Sequence, residues 1–166
     1  MNNGMEIEIL AKRSTYGIEN LGQDFAGLVR YGFAAFFVVT GIAKLAAGET
    51  FVEAIRGYDL VPLAAIDLVA VVVIVSEVAL GVWLASGHAR RAALGTVAAS
   101  LIALAVVVAY AAWRGSTGDC GCFAGVAESS IGLGSVIRNA ALAAIAINAV
   151  VVERPRSRFT HKAKKE

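Results

Sequence analysis

"LAAIDLVAVVVIVSEVALGVWLA", Leu63 to Ala85, is the stretch on which the fold turns. Apart from Asp67 near its start and Glu77 near its middle, it consists of Ala, Val, Leu, Ile, Gly, Ser and Trp. A helix rises about 1.5 Å per residue and the hydrocarbon core of a bilayer is about 30 Å thick, so roughly 20 apolar residues cross it. Phe25–Ala46, Ala92–Ala112 and Leu133–Val152 meet the same requirement, and none of these runs contains proline. Backbone groups in lipid must be satisfied within the segment, which makes such runs helices. The expected fold is all-α, a polytopic membrane four-helix bundle.

Composition agrees. The chain has 166 residues, of which 58% are hydrophobic and 17% charged, with a mean hydropathy of +0.70. A soluble domain is nearer half apolar and about a quarter charged. The net charge of +2 is small, and the charges gather at the chain ends and between the apolar runs. The lipid bilayer is therefore an expected partner and nucleic acid is not. Residues 1–24 are polar to amphipathic and lack the apolar core and cleavage site of a signal peptide, so no cleavage is expected. The organisation read from this pattern is a cytoplasmic N-terminal segment (1–24), a four-span membrane domain (25–152) and a basic cytoplasmic tail (153–166).

Lysine and arginine set the orientation. Lys12 and Arg13 precede the first span, Arg90 and Arg91 lie between the second and third, and six basic residues from Arg154 to Lys165 follow the fourth. The other two gaps hold Arg56 and Arg114, with Lys44 and Arg138 at their edges. This asymmetry predicts both termini in the cytoplasm and Gly48–Val61 and Trp113–Gly132 outside. In the first outer gap, "ETFVEAIRGYDLVP" offers Thr50 and Glu53 as a capping box. Phe51, Ile55 and Tyr58 follow at helical spacing, which predicts a short interfacial helix with its apolar side down.

The second outer gap carries the two cysteines of the chain, Cys120 and Cys122, separated by Gly121. Their expected side is the one where disulfides persist. Three readings are open. A redox-active dithiol suits a bridge across one residue, whose small ring strains disulfide geometry and eases reduction. A soft metal such as Cu(I) suits two thiolates, although a closed zinc site needs four ligands and no further cysteine exists, so no metal is expected. A structural bridge would close almost no loop and restrain the unfolded chain little.

Ionisable groups inside spans are costly and usually partnered. Lys44, Asp67 and Arg138 near the outer helix ends, with Asp119 beside the cysteines, are candidates for an outer polar cluster supporting the thiols; snorkelling of Lys44 and Arg138 into the headgroups is the alternative. Glu77 lies about 22 Å below Pro62 and Arg30 about 21 Å below Lys44 at helical rise. Their similar depth predicts a buried Arg30–Glu77 ion pair.

"GIAKL" (Gly41–Leu45), "FVEAIRGYDLVP", "SEVALG" (Ser76–Gly81), "DCGCF" and "IRNAAL" (Ile137–Leu142), in this order and spacing, resemble the methylamine-utilisation protein MauE family within the DoxX-like group of four-helix membrane proteins. The resemblance covers roughly Phe25 to Val152, and "CGCF" is its most specific element. One departure is the extra Ala124 in "CGCFAG", which bears on the turn after Phe123. The resemblance implies a multi-pass protein of the bacterial inner membrane that takes part in extracytoplasmic thiol chemistry. MauE is associated with maturation of a disulfide-rich enzyme subunit alongside a thioredoxin-like protein, and DoxX-type relatives with quinone-coupled sulfur oxidation. It thus points to a thiol–disulfide oxidoreductase whose Cys120 and Cys122 exchange with a thioredoxin-like or disulfide-containing protein. A non-catalytic accessory subunit of a larger membrane complex is the rival reading. Quinone is the one cofactor in view: Trp113, Phe123 and Tyr110 either line a headgroup site or form an aromatic belt at the interface.

Overall fold

The structure, a computed structural model, describes residues 3–116, 118–121 and 130–153, with side chains from Gly22 onward. Cys122, Phe123 and the tail from residue 154 lie outside the described residues.

The chain forms helices α1 (Asn3–Ala47), α2 (Glu49–Gly57), α3 (Ile66–Ser86), α4 (Arg90–Trp113) and α5 (Leu133–Val152), with a 3-10 turn at Leu63–Ala65 ahead of α3. Among the described residues, four stretches are long and apolar enough to cross a membrane: Gly22–Ala47, Leu63–Ser86, Arg90–Trp113 and Leu133–Val152. They match the four runs read from the sequence to within a few residues. The segment before the first run continues it as a single 45-residue helix.

Glycine sets the sharpest breaks. Gly48, at φ +51°, ends α1 and begins α2 within one residue, a backbone conformation that glycine reaches at little steric cost. The expected capping box does not form. Gly48 takes the N-cap position with no side-chain cap, its carbonyl accepts from the amides of Phe51 and Val52, and Thr50 falls inside the first turn. Glu53 pairs instead with Arg56. The predicted apolar face is real: Phe51, Ile55 and Tyr58 are all buried. At the other end of the molecule, Gly87 (φ +68°) and Ala89 (φ +47°) turn α3 tightly into α4.

The bundle is built from two dominant helix pairs, α1 with α3 and α4 with α5, with α1 also reaching α5. In lipid no hydrophobic force draws helices together, so close packing of small residues does that work. Gly41 lies directly against Val78, and Gly81 against Val38 and the Ala34 carbonyl. Ser135, Asn139, Ala143, Ala146 and Ala149 form the buried stripe of α5. Phe33, Phe37, Leu80, Leu84, Leu94, Val97 and Leu101 fill the space between the pairs. Valine, leucine and isoleucine on the outer faces, such as Leu28, Val39, Val72 and Val106, are exposed to the surroundings. That inverted arrangement suits a lipid solvent.

The α1–α3 register corrects the predicted ion pair. Glu77 pairs with Lys44, whose ammonium lies 2.6 and 2.7 Å from its two carboxylate oxygens. Depth counted from Pro62 misleads because the start of α3, at Ile66 and Ala70, extends past the end of α1 and packs on Phe51 and Ile55 of α2. Glu77 therefore meets the last turns of α1. Arg30 instead reaches the far end of α3, where its Nη1 donates to the Leu84 carbonyl at 3.0 Å.

Candidate functional site

The site is built where the connection from α4 to α5 leaves and rejoins the bundle, at residues 118–121 and 130–132. These two ends are drawn together by a bridge between Asp119 and Ser130 and by the Ile131 amide donating to the Gly118 carbonyl at 2.9 Å. The Ser135 hydroxyl donates to the Ser130 carbonyl at 2.8 Å. Buried Asn139 donates to the Ser135 carbonyl one turn further along, also at 2.8 Å. The Ser135 contact fastens Ser130 to the first turn of α5, and the Asn139 contact stays within the helix.

Cys120, in the first of these two ends, is 4% exposed and packs against Tyr58, Val108 and Ala111. The Arg138 guanidinium donates from Nη2 toward its sulfur at 3.6 Å. The Asp119 carboxylate accepts the Gly121 amide at 3.0 Å. A cation against the sulfur favours its negatively charged form. Gly121 holds φ +67°.

α2 closes the site from the side. The Tyr58 hydroxyl donates to the Cys120 carbonyl at 2.6 Å. The Phe51 ring and the Ala54 methyl pack on Gly121. At the end of α4, Ser116 donates to the Tyr58 carbonyl at 3.5 Å, and Arg114 pairs with Asp59 at 3.4 Å. Lys44, on the last turn of α1, stands 5.6 Å from the centre of the Phe51 ring.

Of the supporting residues read from the sequence, Asp119 and Arg138 are brought to Cys120, and Lys44 approaches through Phe51. Asp67 is exposed at the start of α3. Trp113 is 82% exposed and stacks obliquely with Tyr110 at 5.9 Å between ring centres, on the outside of α4. Of the three aromatics read as a quinone-headgroup site or an interface belt, Tyr110 and Trp113 thus share an exposed face of α4, and Phe123 lies outside the described residues. Among the described residues, no three or more of His, Cys, Asp and Glu are gathered as metal ligands would be. The sequence reading missed Tyr58 as a site residue. Its phase with Phe51 and Ile55 marked its burial, but nothing in the chain order pointed its hydroxyl at a carbonyl 62 residues away.

Four apolar helices around small-residue contacts, with a buried cysteine met by a half-buried arginine at one interhelical connection, define a small all-helical, multi-pass membrane protein. The chain belongs to the MauE family: the model of the family described as "Methylamine utilisation protein MauE" matches residues 22–152. It is 32% identical over 120 residues to the methylamine utilization protein MauE of Paracoccus denitrificans, covering 72% of this chain and 64% of that protein. To the Paracoccus versutus protein of the same name it is 33% identical over 125 residues, covering 75% of this chain and 67% of the relative. The chain thus spans about two-thirds of the length of the curated relatives it matches. No solved structure matches it.

Proposed function

We propose that the chain is a membrane thiol–disulfide redox partner, exchanging electrons with an extracytoplasmic dithiol protein through Cys120 and Cys122. The contact that carries this reading is the Arg138 guanidinium at 3.6 Å from the Cys120 sulfur. A buried structural cysteine has no use for a cation, whereas a thiol that must leave or attack as thiolate does. Burial under α2 gives Cys120 the resolving role and leaves Cys122 as the attacking group. The Cys122 thiolate attacks one sulfur of a partner disulfide, forming a mixed disulfide and releasing the partner's other sulfur as thiolate. The Cys120 thiolate then attacks Cys122, closing the Cys120–Cys122 bridge and freeing the partner as a dithiol. Two electrons have passed to the partner, and the reverse sequence returns them; relative reduction potentials set the direction. The name of the relatives ties them to methylamine utilisation.

Orientation belongs to the same proposal. The lysine and arginine asymmetry puts the cysteine end outside the cytoplasm and both termini within it. Thiol trapping tests both parts in intact cells. Cys120→Ser, which keeps the attacking thiol and lacks the resolving one, is expected to accumulate a mixed disulfide, and Cys122→Ser to accumulate far less. Labelling of Cys120 solely from the cytoplasmic side would overturn the orientation. Absence of any mixed disulfide, with co-purification in a larger complex whatever the thiol state, would replace the redox partner with a scaffold subunit.

A further inference from the structure

The face of α2 turned toward Cys120 makes two contacts that bracket a single peptide group. On one side the Tyr58 hydroxyl holds the Cys120 carbonyl oxygen at 2.6 Å. On the other, α2 crowds the Gly121 α-carbon: a Cβ there would lie 3.2 Å from the Ala54 Cβ and 3.3 Å from Phe51 Cε2. A peptide group is planar, and the Gly121 nitrogen of the same group is held by the Asp119 carboxylate at 3.0 Å, so oxygen, nitrogen and following α-carbon fix three points of the plane and with them its orientation. Phe51 is itself seated. The Lys44 ammonium stands 5.6 Å from its ring centre, and both carboxylate oxygens of Glu77 hold that ammonium at 2.6 and 2.7 Å. A line of contacts therefore runs from α3 through α1 and α2 to the loop.

We infer that Tyr58 and Phe51 are positioning residues for Cys120: they pin the Cys120–Gly121 peptide so that the Cys120 sulfur stays against Arg138, and the Lys44–Glu77 pair keeps Phe51 in place. The inference rests on the redox reading proposed above. Arg138 favours the thiolate and hence the reduced pair. A loosened peptide lets the sulfur drift from the guanidinium, which weakens that preference and shifts the balance toward the disulfide.

Tyr58→Phe keeps the ring against Val108 and Ala111 and removes the hydroxyl. The measurement is a redox titration of the purified full chain in detergent, with mass-labelled thiols. Tyr58→Phe is expected to move the dithiol–disulfide equilibrium toward disulfide by up to roughly tenfold, a potential lower by about 30 mV for a two-electron couple. Phe51→Leu, which remains apolar, should move it in the same direction. In an Arg138→Gln background, Tyr58→Phe should produce no further shift, because the sulfur has no guanidinium left to be held against. A general loss of packing would not show that dependence on Arg138. Unchanged potentials in both single variants, or an equal shift with and without Arg138, would overturn the positioning role while the redox reading stands. A wild-type pair that fails to titrate would overturn the redox reading, and this inference with it.

Discussion

Arg30, Lys44 and Glu77 all lie within the spans, and each is answered differently. Lys44 and Glu77 neutralise one another. Among the described residues Arg30, 4% exposed, meets no carboxylate: it holds the Leu84 carbonyl, lies 4.2 Å from the Tyr31 ring centre, and its buried Nε finds no hydrogen-bond partner there. A cation at the end of α3 meets the negative end of the helix dipole, which accounts for its place there. Glu77→Ala should strand Lys44 and cost on the order of 3 kcal/mol. Thermal unfolding in detergent of the Lys44→Ala, Glu77→Ala and double variants should show a coupling of about 1–3 kcal/mol. The Arg30 and Glu77 substitutions should simply add, and coupling confined to that second pair would reverse the assignment. The sequence displayed all three charges and the need to pair them. It did not display which turn of α1 faces Glu77, because that depends on how far α3 overshoots α1 to pack on α2.

The elements themselves were legible to different degrees. Hydropathy marked the four spans because lipid demands apolar residues all around each helix, and a period-3.6 face marked α2 because that helix is buried on one side only. The capping box was misplaced since Gly48, a single left-handed residue, starts α2 before Thr50 can cap it. Glycines within spans read alike in the sequence, yet they differ sharply in the fold. At Gly81 a Cβ would lie 2.7 Å from Val38 Cγ2 and 2.9 Å from the Ala34 carbonyl oxygen, whereas at Gly95 it would meet nothing within 4 Å. Gly81→Ala must therefore push α1 and α3 apart, a cost of about 1–3 kcal/mol. Gly95→Ala should be neutral or gain up to about 1 kcal/mol from helix propensity. Comparing their melting temperatures in detergent checks the contrast; equal losses would show that the α1–α3 approach at Gly81 is looser than described.

At the scale of the whole molecule, span number came from composition but pairing did not, since α3 and α4 are apolar on every side and give no face to match. The site was half legible: adjacent cysteines and nearby charges announced it, while Tyr58, Asn139 and Ser135 entered only when the loop was seen fastened to α2 and α5. The Lys44–Glu77 pair has one more consequence, for how the hairpin finds its alignment. Two helices surfaced with valine and alanine resemble smooth rods, and sliding one along the other by a helical turn, about 5.4 Å, exchanges one set of similar contacts for another. A single salt link between such rods acts as a detent. Reversing it, Lys44→Glu with Glu77→Lys, should preserve the native alignment, read as efficient cross-linking between cysteines placed at Gly41 and Val78 and little between Gly41 and Ile74. Replacing both charges with leucine should spread the cross-links over both positions even where the protein still inserts and stays helical. A single sharp alignment in the leucine pair would mean that the glycine notches at Gly41 and Gly81 alone hold the two rods in step.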